Sequence, residues 1–464
     1  KKTDPTYDPD EGTLSDDDIA ELEETQIGTV LNNEYILIKY ISKGSFSRVW
    51  QVYHVPTNTI KVAKIYFEND IDEFKQDFEV SQKNKSFYGE VRTDFKLIDK
   101  MLNLIPQSLF YLPHKKWLDP CCGNGYFMMC LYKKLFFTLS ESFPDEDERH
   151  CHIVSNMLYM IEINNEHIDT LYDMFGKNAN IICDDFLNYD ANSLNIDIII
   201  ANPPYNFPNK SSAIWNNFMT KFVHTLDDYG HLLIIIPSLW LKKSHLSNSF
   251  INQFHISSLH TMSSSETNKI FHYKAQTATT FFHLQKKPSD NFIKIFDNSL
   301  KQYVQYNTKF TIPMKNQYFM SKFKSIVGNN YIKVEKTNLD IGFRNKTTQF
   351  SSVKSDIYKY KNIHTCILPK NKPILKINFS NNPCCYYGKP KIILAHKMYG
   401  LPYYDKEGVY GIPTKDNYVI INKTHDEFLK IEKIFNSKCI RLIFNSFRFR
   451  MATIEKEAFE FIPN

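Results

Sequence analysis

Asn202-Pro203-Pro204-Tyr205 follows the apolar run DIIIA and places an amide, two prolines and an aromatic ring in four consecutive positions. The Asn202 side-chain oxygen and the Pro203 carbonyl can both accept from N–H donors, so the pair could hold the two N–H bonds of one amine. Proline fixes φ and stiffens such a turn, which limits loss of alignment with an electrophile. Tyr205 adds a flat face on which a planar base could stack. The chemistry on offer is the holding and orienting of an amine.

Three other segments carry groups suited to a ligand. Asp119-Pro120-Cys121-Cys122-Gly123-Asn124-Gly125 links a strand-like run to the helical run YFMMCLYKKLF, and Gly123 and Gly125 would let a ligand approach the backbone. Glu162 ends the next apolar run, where folds of this kind place a carboxylate for a ribose diol. The run after that ends in Cys183-Asp184-Asp185-Phe186. Four successive strand ends thus converge on one crevice, a pattern that helix caps and stray surface charges do not explain well.

The elements that must position these groups are legible as apolar runs separated by helical segments. KKWLDP, MLYMIEIN, NANIICDD, DIIIANPP, GHLLIIIP and TATTFFHL predict strands of an α/β, doubly wound, Rossmann-like sheet that ends near residue 286. Residues 1–30 read as an acidic disordered tail, 31–84 as a small β-rich block with a charged connector, and 85–286 as the sheet domain. Residues 287–464 read as a separate mixed α/β domain whose best strands are KIILAHK and NYVIIN.

The chain has 464 residues, 42% hydrophobic and 23% charged, as expected of a globular protein with a sizeable core. No apolar stretch approaches the roughly 20 residues of a membrane helix, and the acidic N-terminus is unlike a secretion signal. Nine cysteines without a Cys-x-x-Cys spacing argue for reduced thiols in the cytoplasm or another reducing compartment, and no metal site is predicted. The net charge of +5 is unevenly spread: residues 1–26 carry −8, and residues 285–464 carry 31 Lys/Arg against 14 Asp/Glu. A basic block of that size suits a phosphate-tracking surface.

On these motifs the segment 87–286 resembles an S-adenosylmethionine-dependent N6-adenine DNA methyltransferase of the restriction-modification kind, in the gamma order of motifs. The resemblance implies that Asp119 and the loop Cys121, Gly123 and Gly125 cradle the methionine part of the cofactor, Glu162 binds the ribose, and Asp185 with Phe186 holds the adenine ring. Asn202, Pro203, Pro204 and Tyr205 would be catalytic. Phe87-Tyr88-Gly89-Glu90-Val91-Arg92-Thr93 is similar to the family's N-terminal cofactor segment, with Thr93 near the methionine and Asp94 in place of the usual proline. Tyr205 would stack on the flipped base, with one of Phe281 and Phe282 as its second wall, since neighbours on a strand face opposite ways.

The partner so implied is double-stranded DNA, read by residues 287–464; recognition sequence and partner endonuclease are not legible. An RNA adenine target and a catalytically silent nucleic-acid-binding protein are the alternatives. Cytosine C5 chemistry would need a cysteine after the proline at the fourth strand end, where Pro204-Tyr205 stands. Protein-glutamine methyltransferases share Asn-Pro-Pro-Tyr but generally lack a long basic C-terminal domain.

Residues 34–66 resemble the first strands of a protein kinase of the serine/arginine-rich-protein type, with Lys43-Gly44-Ser45-Phe46-Ser47-Arg48-Val49 as the Gly-rich loop and Val62-Ala63-Lys64-Ile65 as the lysine strand. One of three loop glycines is kept, and neither His-Arg-Asp nor Asp-Phe-Gly follows, so phosphoryl transfer has no machinery. The block is expected to serve as a structural or protein-partner module.

Overall fold

The computed structural model describes residues 30–31, 35–43, 47–54, 59–66, 93–207, 212–271, 277–337, 347–367, 374–396, 402–413, 417–449 and 453–464. The acidic tail, the connector at 70–85, Gly44–Phe46 of the kinase-like loop and Phe87–Arg92 of the cofactor segment lie outside them. The chain divides into two compact units, residues 1–87 and 88–464.

In the first unit, β1 (Val30–Leu31), β2 (Tyr35–Lys43), β3 (Ser47–His54) and β4 (Thr59–Tyr66) form an antiparallel sheet in sequential order. Val49 pairs with Lys64 across β3 and β4.

The second unit is built on β5 (Trp117–Asp119), β6 (Leu158–Glu162), β7 (Asn180–Cys183), β8 (Ile198–Ala201), β9 (His231–Pro237), β10 (Phe254–Met262), β11 (Thr279–Pro288), β12 (Phe292–Asp297) and β13 (Gln302–Asn307). Their order is β13-β12-β10-β11-β9-β8-β5-β6-β7. Strands β5 to β9 run parallel, and β11 is antiparallel to both β9 and β10. The strand expected from TATTFFHL is β11.

Each central strand is apolar on both faces, which is why these runs read as continuous rather than alternating. Trp117, Ile198, Ile200, Leu233 and Ile235 enter one core, beneath α1 (Phe95–Leu102), α2 (Tyr126–Thr138) and α3 (Ile168–Phe175). Leu118, Ile199, Ala201, Leu232, Ile234 and Ile236 enter the other, beneath α4 (Trp215–Thr225). The result is helices on both faces of the sheet.

The expected end of this sheet at residue 286 is corrected by the structure, because β12 and β13 continue it to Asn307. Nor is the C-terminal part separate from this core, although Ile363, Ile393, Ile412 and Val419 form a small cluster of their own. Phe428, Ile431, Phe444, Phe459 and Ile462 lie in the same buried cluster as Leu118 and Ile199. β14 (Glu335–Lys336), β18 (Lys391–Ala395), β19 (Tyr403–Asp405) and β20 (Asn417–Ile420) form one further sheet, and β15 (Phe350–Ser351), β16 (Tyr360–Ile367) and β17 (Ile374–Ser380) a small antiparallel one. Among the described residues, no helix is long and apolar enough to cross a membrane.

Candidate active site at the switch point of the sheet

β5 has β6 on one side and β8 on the other, so the direction of winding reverses between β5 and β8. The carboxyl edge at such a point is where open α/β sheets bind ligands. Asp119 ends β5, Glu162 ends β6, Cys183 ends β7, and Asn202 follows β8 at that edge.

The loop after β5 is shaped by its own backbone. The Gly125 N–H donates to the Cys122 carbonyl at 2.8 Å, and Gly123 and Gly125 have φ of +52° and +77°. These left-handed values explain the glycines. A Cβ on Gly125 would lie 2.7 Å from Leu171 Cδ2 and 3.1 Å from Phe175 Cε2, both on α3. Gly125 therefore lets the β5 loop and α2 pack closely on α3, a packing reason for glycine beside the backbone contact expected of it.

Asp119 is buried and accepts the Cys121 N–H at 3.2 Å. Burial, reinforced by the nearby Glu162 charge and opposed by the Cys121 N–H, pushes its carboxyl up to about 8. Burial likewise raises the Cys121 and Cys122 thiols well above their ordinary value, which leaves them neutral rather than nucleophilic. The Glu162 carboxylate accepts the Gly123 N–H at 2.7 Å and the Asn164 N–H at 2.8 Å. It thereby ties the β5 loop to the end of β6 and keeps further lone pairs for another donor. Buried His167 lies 3.7 Å from the same carboxylate, and Asn164 Nδ2 is 3.3 Å from the other ring nitrogen of His167. Asn164 and His167 escaped the reading of the sequence, since a lone Asn-x-x-His after a strand carries no distinctive spacing.

Asp185 is half-buried, and its carboxylate accepts the Leu187 N–H at 2.9 Å and Asn188 Nδ2 at 2.7 Å, closing its own turn. Phe186 departs from expectation. It is 2% exposed, packed between Phe218 and Phe222 of α4 under Lys221, so its ring belongs to the core and presents no face to a ligand. Phe281 and Phe282 are corrected in the same way. They point to opposite faces of β11, but each is buried in a core, Phe281 against His260 and Phe282 against Trp240.

The Asn202–Tyr205 turn sits directly beside the β5 loop, because β5 and β8 are paired neighbours and the Asn202 backbone N–H faces Cys121. The Asn202 Nδ2 donates to the hydroxyl of buried Thr93 at 2.9 Å. Pro203 is buried, and Pro204 and Tyr205 are partly exposed. The Tyr205 carbonyl accepts the Ile214 N–H at 3.1 Å, and its hydroxyl is buried without a hydrogen-bond partner among the described residues. Burial raises that phenol far above its ordinary value, so it remains neutral. The structure thus brings Thr93, Asp119, Cys121, Gly123, Glu162 and Asn202 to one place. Among the described residues no group of three or more His, Cys, Asp or Glu could hold a metal ion.

No family model matches the chain. An uncharacterized adenine-specific methylase of Mycoplasma pneumoniae is 24% identical in a match covering 35% of this chain and 58% of that protein. The chain therefore spans just over half the length of this curated relative. Similar solved structures include the type IIG restriction endonuclease BpuSI, with a TM-score of 0.42, 11% identity, and 83% of this chain and 60% of that one covered. The M protein of the type I restriction enzyme EcoKI is similar with a TM-score of 0.36, 15% identity and coverage of 48% and 51%. The DNA-bound ATP-dependent type ISP restriction-modification enzyme LlaBIII is similar with a TM-score of 0.44, 12% identity and coverage of 83% and 40%.

Proposed function

We propose that this protein transfers a methyl group from S-adenosylmethionine to the N6 amine of an adenine flipped out of duplex DNA. The observation that carries the reading is the placement of the Asn-Pro-Pro-Tyr turn beside the β5 loop, at the ends of two paired strands at the switch point of the sheet. The likeness to an adenine-specific methylase supports it.

The donor set fits the cofactor. Asp119 is a buried carboxyl with no ion-pair partner among the described residues, and a cationic ligand would ionise it. Gly123 and Cys121 line the loop, and Glu162 keeps lone pairs for ribose hydroxyls. When bound, S-adenosylmethionine supplies an electrophilic methyl group. An exocyclic adenine amine is a poor nucleophile because its lone pair is delocalised into the ring. Asn202 Oδ1 and the Pro203 carbonyl accept its two N–H bonds and favour the pyramidal form whose lone pair can attack. The same two acceptors would hold the N–H bonds of the methylated amine, which is acidic, until one proton passes to water. Tyr205 offers the base a face worth about 1–3 kcal/mol of stacking.

For DNA contact we propose the small sheet of β15 to β17. Lys376 is exposed on β17, Lys354 and Lys359 are exposed in the segment that joins β15 to β16, and Lys359 Nζ lies 5.4 Å over the Tyr360 ring. An antiparallel ribbon of this kind fits a major groove. The first unit is read as a protein-partner module, on its resemblance alone.

The test is single-turnover methylation of duplex DNA, with the modified base identified by mass spectrometry. Methyl on adenine N6 is expected, together with DNA affinity that falls linearly in log–log form with salt and a slope that shrinks by about one for each of the three lysines changed to glutamine. Methyl on cytosine C5, on RNA alone or on protein glutamine would overturn the proposal.

The raised Asp119 value sets a pH dependence. A carboxyl at about 8 holds its proton at pH 7 in the free protein and gives it up when a sulfonium and an ammonium arrive. Cofactor binding should therefore release close to one proton at pH 7 and tighten as pH rises toward 8. In the free protein the sign is the opposite for stability, since the folded chain holds a proton that the unfolded chain has lost. That contribution is present below the ordinary carboxylate range and disappears as pH rises through about 8. Calorimetry in buffers of different ionisation enthalpy measures the release; an Asp119→Asn variant releasing as much as wild type would show the proton comes from elsewhere.

A further inference from the structure

We infer that Thr93 is a positioning residue for Asn202, acting through the amide rather than as a contact to the cofactor. The inference rests on the reading of Asn202 as the group that accepts from the substrate amine.

An asparagine amide has a donor end and an acceptor end, and its terminal torsion is broad, so an unanchored Asn202 would present either end to a substrate. Here it is held at two points. Its Nδ2 donates to Thr93 Oγ1 at 2.9 Å, and its backbone N–H faces Cys121. With Nδ2 directed at Thr93, the amide is oriented so that Oδ1 lies at its other end. Thr93 is 5% exposed, so water competes poorly for that bond. It also sits one residue before Asp94, whose side chain accepts the Lys96 N–H and caps α1. α1 buries Leu97, Ile98, Met101 and Leu102 in the core, which gives Thr93 a rigid base. The second anchor, Cys121, is in the β5 loop proposed to cradle the cofactor. The amide that meets the amine is thus fixed by the N-terminal helix on one side and by the β5 loop on the other.

The experiment compares Thr93→Val, which keeps the shape and loses the acceptor, with Thr93→Ser, which keeps the hydroxyl. At saturating cofactor and DNA, Thr93→Val should lower the single-turnover rate about ten- to a hundredfold, as a misaligned group does. Cofactor Kd by calorimetry should change less than about twofold, and Thr93→Ser should recover most of the rate. Introduced into Asn202→Ala, Thr93→Val should cost nothing further, because the partner it positions is gone. A weakened cofactor Kd with an unchanged saturated rate would make Thr93 a cofactor contact and overturn the inference. So would an equal loss of rate in the Asn202→Ala background, which marks a general structural role; that cycle, run with Thr93→Ala, decides the matter if the valine variant does not fold. Failure of the wild-type protein to methylate adenine would instead overturn the underlying reading.

Discussion

Asn202→Ala is expected to lower the single-turnover rate of adenine methylation by about 10²–10³-fold, the usual cost of removing one preorganised group aimed at a developing charge. The loss should fall on the chemical step. The Asn202 oxygen gains strength as an acceptor only as the amine pyramidalises and turns positive, so its effect is larger in the transition state than in the bound substrate. Cofactor affinity should change little, since truncating the side chain leaves the Asn202 backbone beside the β5 loop in place. DNA affinity should also persist, because stacking on Tyr205 and the phosphate contacts do not involve the amide. Asn202 is partly exposed, so the truncation leaves no large cavity and the variant should fold. Wild-type turnover in Asn202→Ala would remove this motif from the catalytic centre.

The sheet was legible where the strands are buried on both faces. MLYMIEIN, DIIIANPP and GHLLIIIP read as strands because nothing polar interrupts them, and they are β6, β8 and β9. β10, FHISSLHTM, was missed for the opposite reason: Ser257, Ser258, His260 and Thr261 break the apolar run, and burial there is supplied by neighbours rather than by composition. His260 stacks on Phe281 and Phe296, and Thr261 donates to the Met314 carbonyl at 2.7 Å. β12 and β13 escaped as members of this sheet because their hairpin joins it only through the parallel pairing of β12 with β10, and no local pattern says that Lys294 lies beside Ser258.

In the site, charge and glycine were legible and aromatic orientation was not. Asp119, Glu162 and Asn202 lie at strand ends, where chain direction alone brings them to one edge. Whether an aromatic ring faces a ligand or the core depends on what packs over it. Phe186 was placed in the crevice by its position after Asp185, but α4 brings Phe218 and Phe222 down on it. The division at residue 286 failed on similar grounds. The basic charge beyond it is a surface property, whereas the apolar residues of the same stretch complete the core that Leu118 and Ile199 begin. Removing 285–464 would therefore expose one face of the central sheet, and the block's role in DNA binding is better tested by surface lysines.

Lys391→Met is expected to destabilise the second unit by about 3–5 kcal/mol, which is the range for leaving one member of a buried ion pair alone. Lys391 and Asp405 are 0% and 1% exposed at their side chains and meet at 2.6 Å, joining β18 to β19. Burial lowers the Lys391 ammonium from its ordinary value, so the pair is held by what surrounds it. The Nζ donates to the Tyr386 and Lys389 carbonyls at 3.0 Å each, and Asp405 accepts the Val409 and Tyr410 N–H groups at 3.0 Å each. Every polar atom of the pair therefore closes a turn of backbone. Methionine nearly fills the volume but leaves a carboxylate and two carbonyls buried without their cation. Adding Asp405→Leu should recover only part of the loss, because it relieves the lone charge and strands two N–H groups instead. A domain is stable by only about 5–15 kcal/mol, so the single substitution should shift a urea unfolding midpoint far to lower concentration. A midpoint equivalent to a change of less than about 1 kcal/mol would mean that water reaches this pair and that the network does not hold β18 and β19 together.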